Sequence, residues 1–112
     1  MFDAESLAKL DADYFNVIVA DGRDVTIQSK NTGHYWYLHC TEYPTEEACV
    51  IFHKHSYSQP YHQHGYSRTL RQAVKSIKRH DTWQLKGRPV ESVKKASKKK
   101  YALDNANVCS YN

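Results

Sequence analysis

The chain is sparing with the residues that punctuate or staple a fold: four glycines, three prolines and three cysteines in 112 residues. The cysteines, Cys40, Cys49 and Cys109, are odd in number and follow no Cys-x-x-Cys spacing. A disulfide framework is therefore not expected, and a reducing cytoplasmic setting is. No apolar run approaches the length of a membrane span, and Met1-Phe2-Asp3-Ala4-Glu5 is acidic where a secretory leader would be basic, so neither is expected. Gly-x-Ser-x-Gly elbows, Walker loops and dinucleotide fingerprints are missing as well, which sets aside the familiar nucleophile and nucleotide-binding classes. Internal repeats are absent, and the length suits one domain with one modest core.

Basic residues are scarce in one part and abundant in the other. Residues 1–67 hold only Lys9, Arg23, Lys30 and Lys54 against nine acids, whereas residues 68–112 hold twelve basic residues against Asp81, Glu91 and Asp104. The formal charge of +4 conceals this polarity. Such a chain presents a basic face suited to phosphate backbones or acidic protein surfaces.

What is abundant is rings. Six of the seven histidines lie between His34 and His64, four of them in His53-Lys54-His55 and His62-Gln63-His64. Alternate residues of a strand share a side, so each doublet can aim two imidazoles at one point. Tyr35, Trp36, Tyr37, Tyr43, Tyr57, Tyr61 and Tyr66 surround them, with Tyr14 upstream.

Periodicity predicts a short helix near 4–10, then a strand over 14–20 that stops at the turn dipeptide Asp21-Gly22. Val25 to Ser29 alternates with Val25 and Ile27 inward. After Asn31-Thr32-Gly33, the stretch His34 to Cys40 reads as its partner strand, with His34, Trp36 and Leu38 on the core side and Tyr35, Tyr37 and His39 opposite. A fourth strand is expected over 47–55, with Cys49 a core residue like Cys40, and a loop or strand edge over 56–66. Ser67 then caps a helix over 67–80 whose apolar stripe is Leu70, Ala73, Val74 and Ile77. Asp81-Thr82 closes it, and Trp83 and Leu85 fold back onto the core.

The expectation is an α+β single domain over 1–86, α–β–β–β–β–α, with an antiparallel sheet of three or four strands and a helix packed on one face. Residues 87–112 form a basic C-terminal helix or tail.

Four chemistries suit these residues. His53, His55, His62 and His64 can converge on a metal such as zinc, although no carboxylate lies nearby to orient the rings; the plainer alternative is a solvated loop that holds no cofactor. His34 with His53 can act as acid and base on RNA, the plainer alternative being a strand-end histidine bonded to its turn. Arg68, Arg71, Lys75, Lys78 and Arg79, extended by Lys94, Lys95, Lys98, Lys99 and Lys100, can lie along phosphates. Tyr35, Tyr37, His39, Tyr57 and Tyr61 can anchor a protein interface, and the tyrosines can also stack unpaired bases.

The run Thr32-Gly33-His34-Tyr35-Trp36-Tyr37-Leu38-His39, followed by a His-bearing strand and a Ser-Arg-Thr-Leu helix start, resembles the HicA-type messenger-RNA interferases over about residues 25–80. That resemblance implies a double-stranded-RNA-binding-domain-like fold and a catalytic role for His34. The chain departs from it in having Thr32-Gly33 where Gly-Ser is usual, and in its long basic tail. In general type the chain is also similar to small accessory proteins of phages and conjugative elements, including anti-CRISPR proteins. That likeness implies a non-enzymatic inhibitor bound to a ribonucleoprotein such as a Cas effector complex, with no membrane involved.

Overall fold

The computed structural model describes residues 1–88. Its elements are α1 (Ala4–Ala8), β1 (Phe15–Ala20), β2 (Asp24–Ser29), β3 (Tyr35–Cys40), β4 (Cys49–Lys54), β5 (His62–Ser67) and α2 (Leu70–Leu85). The strands form one antiparallel meander in the order β1-β2-β3-β4-β5, and α2 covers one face. This is the expected α+β fold with one strand more than expected. Nearly all of the basic tail, from residue 89 on and including Lys94, Lys95, Lys98, Lys99 and Lys100, lies outside the described residues.

The fifth strand forms in a segment with no apolar alternation because its partner supplies the register. Backbone bonding to β4 sets Cys49 opposite Ser67, Ile51 opposite Gly65 and His53 opposite His62, with a shift between Ile51 and Phe52. The shift is a β-bulge: one extra residue on β5 re-aims the side chains beside it.

Strict alternation builds the core. Val25 and Ile27 of β2, Trp36, Leu38 and Cys40 of β3, and Cys49 and Ile51 of β4 point to the side covered by α2, where Phe2, Phe15, Leu70, Ala73 and Ile77 join them. Both cysteines are buried and free. Gly33 takes a φ of +79° in the β2–β3 turn, a conformation that L side chains rarely adopt. Of β1 only Phe15 is buried, and Val17, Ile18 and Val19 lie exposed along the sheet's edge.

α2 begins and ends later than the residue pattern indicates. Thr69, not Ser67, is the N-cap, its hydroxyl accepting from the Gln72 N–H at 3.1 Å. The helix runs through Asp81-Thr82 instead of closing there, because Asp81 faces inward and is fully buried. Its carboxylate accepts from the Tyr14 hydroxyl at 2.7 Å and the Thr32 hydroxyl at 3.1 Å. A buried carboxylate without such donors would cost several kcal/mol, so these bonds fasten α2 to the β2–β3 turn. Burial, then the bond to Asp81, pushes the Tyr14 phenol up to about 12. Trp83 and Leu85 consequently stay in the helix: Trp83 is half-buried beside His80, and Leu85 is exposed. Val74 is only partly buried, at the margin of the stripe.

Candidate functional site

The fold separates the chemistry-bearing residues onto three surfaces: the layer between sheet and helix, the open sheet face, and the outer side of α2.

In the inner layer, His53 is the hub. It is 2% exposed and stacks on Trp36 at 4.1 Å between ring centroids. The rings of His34, His55 and His80 lie 5.0 Å from it, and those of His62 and His64 lie 5.4 Å from it. His34, 7% exposed, is held by two features of its turn. Its backbone N–H donates to the Thr32 hydroxyl that in turn bonds Asp81, and its Nδ1 lies 3.0 Å from Nε2 of His53. His55 stacks over His34 at 4.3 Å and faces solvent. His64, beside the β5 bulge, approaches Trp36 and His80.

Both doublets therefore do converge, about His53. Among the described residues, however, the compact donor set is His34, His53 and His80, each offering one ring nitrogen within 4.8 Å of the other two. His80 lies outside the cluster that the spacing of the other histidines picks out. Its signal is the helical period: three residues beyond Ile77, it continues the buried stripe. Its Nε2 is buried and has no hydrogen-bond partner.

Burial, reinforced by the neighbouring imidazoles, disfavours protonation throughout. It pushes His53 down to about 2, His80 to about 3 and His64 to about 4, and lowers His34 and His55 as well. The inner layer is a nest of neutral imidazoles.

The open face carries the aromatic set. Tyr37 stacks on Phe52 at 5.6 Å and approaches Tyr61 at 6.1 Å, while Tyr35 meets Tyr57 at 6.1 Å. The Lys54 ammonium sits 4.5 Å from the Tyr61 ring centroid, 5.1 Å from that of Tyr57 and 5.4 Å from that of Tyr35. His39 and the Tyr37 hydroxyl share Asp24 Oδ1 at 3.0 and 2.5 Å. The bond to Asp24, then burial, pushes the Tyr37 phenol up to about 12. Tyr35, Tyr37, His39, Tyr57 and Tyr61 thus do share one surface.

On the outer side of α2, Arg71, Lys75 and Arg79 are exposed at steps of four residues, about 6 Å apart along the axis. No carboxylate of the described residues pairs with any of them. Lys78 differs: it bonds Asp11 at 3.1 Å and lies over the Tyr14 ring. Arg68 is exposed in the turn between β5 and α2. No helix of the described residues is long and apolar enough to cross a membrane.

No protein-family model matches this chain, and neither a curated protein nor a solved structure matches it.

Proposed function

We propose that the protein is a non-enzymatic binding protein that engages nucleic acid, free or within a ribonucleoprotein, through the outer side of α2. The observation that carries this reading is the row of Arg71, Lys75 and Arg79, exposed, evenly spaced and without carboxylate partners among the described residues. Charged side chains that merely solubilise a helix are commonly interleaved with acids at i and i+4, which neutralise the row. Here Asp3 and Glu5 line the groove beside Arg71 and Lys75, yet among the described residues no carboxylate pairs with the row, and anionic phosphates are the complementary partner.

The open face supplies a second contact of different chemistry. Tyr35, Tyr57 and Tyr61 surround one cation, Lys54, with Tyr37 beside Tyr61, and rings with little net charge suit a protein surface better than a phosphate chain. Because the two surfaces lie on opposite sides of the molecule, one chain can touch RNA with one side and protein with the other. That is the arrangement an inhibitor of a ribonucleoprotein, such as a Cas effector complex, would use. The interferase alternative has less in its favour: His34 lies beneath His55 and is held neutral, whereas a general acid must carry a proton near neutral pH and reach its substrate.

The test is binding of single-stranded RNA by fluorescence anisotropy, with wild type beside the combined Arg71→Glu, Lys75→Glu and Arg79→Glu variant. The expected loss is about 1 kcal/mol or more per contact, roughly a hundredfold for three. RNA binding unchanged in a folded triple variant refutes the reading, and RNA cleavage lost in His34→Ala would replace it with the interferase.

A further inference from the structure

The unpartnered Nε2 of His80 raises a question that phosphate binding leaves untouched. A buried polar nitrogen with no hydrogen-bond partner costs on the order of 1–3 kcal/mol, and folds rarely keep one without a use. It sits in the one place among the described residues where ring nitrogens from three elements crowd together: His34 at the entry to β3, His53 in β4 and His80 in α2.

We propose that His34, His53 and His80 bind one divalent transition-metal ion of the zinc class.

The donor set selects the class. Three imidazoles with no carboxylate or thiolate among them suit zinc, cobalt, nickel or copper, and offer nothing to magnesium or calcium, which prefer oxygen. The distances are near what is needed. Nitrogens sharing a tetrahedral zinc at 2.0–2.1 Å stand about 3.4 Å apart, so the widest gap of 4.8 Å closes by about 1.4 Å through ring rotation. One hydrogen bond among these rings is given up: His34 Nδ1 and His53 Nε2, 3.0 Å apart, exchange it for the metal. His64, whose ring lies 4.8 Å from that of His80, is a buried-side candidate for the fourth position, and otherwise a solvent-derived ligand fills it. The surroundings suit the ligand form, because imidazole binds metal only when neutral and burial keeps these rings so. Since the ligands come from the entry to β3, from β4 and from α2, the ion would pin the C-terminal half of α2 to the sheet and stabilise the domain.

The experiment uses the full chain, stripped with chelator, then titrated with Zn²⁺ and with Co²⁺ as a spectroscopic stand-in. Expected are one equivalent bound, visible Co²⁺ absorption of tetrahedral intensity, and a Tm raised by several degrees on adding zinc. His80→Ala and His80→Asn should lose all three. Without metal, the same variants lose the ring's packing on Trp36, His53 and His64 along with its unpaired nitrogen, so the zinc-induced rise in Tm is the discriminating readout: a merely structural His80 would leave that rise intact in the variants. His55→Ala with His62→Ala, which removes the two exposed imidazoles beside the cluster, should keep the metal. The proposal is overturned when wild type binds no metal. It is equally overturned when binding survives both His80 variants or disappears with the exposed pair, since the metal would then be held at the surface.

Discussion

The layer between sheet and helix and the surfaces on either side of it use the same kinds of side chain to opposite ends. Inside, His53 and Trp36 stack with five further imidazoles gathered about them, and burial lowers the proton affinity of His53, His64 and His80. Outside, Tyr35, Tyr57 and Tyr61 surround an ammonium, and Arg71, Lys75 and Arg79 face solvent without acid partners among the described residues. On β3 a single step along the chain, from Trp36 to Tyr37, separates the two environments. An aromatic or imidazole ring has no fixed role of its own: the parity of its position on a strand decides whether it packs, titrates or meets a partner.

Acid should break the difference most severely. His53, His64 and His80 have folded-state pKa values of about 2, 4 and 3, against 6.5 when unfolded. Folding then releases protons below pH 6.5. The stabilisation is complete above that pH and is lost as pH falls toward the folded values, by about 1.4 kcal/mol per pH unit for each proton taken up on unfolding. Urea denaturation of metal-free protein at pH 7, 6 and 5 should show midpoints dropping steadily. A midpoint independent of pH would mean that the inner rings are solvated.

Paired truncations on β3 sharpen the contrast at smaller cost. Trp36→Ala empties a fully buried site and strands the Ser29 hydroxyl that its Nε1 bonds at 3.2 Å, so a loss of about 3–5 kcal/mol is expected. Tyr37→Ala removes the bond to Asp24 and the stack on Phe52, both near solvent, for about 1 kcal/mol. Thermal unfolding distinguishes them, and equal losses would contradict the assignment of faces.

Much of this division was legible in the residue pattern. Period-two alternation placed Val25, Ile27, Trp36 and Leu38 inward with His34, and Tyr35, Tyr37 and His39 outward, as the structure has them. The Leu70–Ala73–Ile77 stripe identified α2. What escaped was set by tertiary context. β5 has no apolar period of its own and exists because β4 offers it a backbone edge. Helix α2 continues past Asp81 because Tyr14 and Thr32, distant in sequence, satisfy its carboxylate. His80 lies sixteen residues beyond the last doublet, so histidine spacing alone does not join it to the site, although the helical period aims it at the same point.

Binding by the outer surfaces is tested most directly by the salt dependence of RNA affinity. Each phosphate neutralised on a single strand lowers log K by about 0.7 per decade of salt, so three contacts from Arg71, Lys75 and Arg79 predict a slope of roughly −2 in wild type and near zero in the triple Glu variant. A wild-type slope near zero, with affinity lost in Tyr35→Ala or Tyr61→Ala, would contradict the account and assign binding to the open sheet face instead.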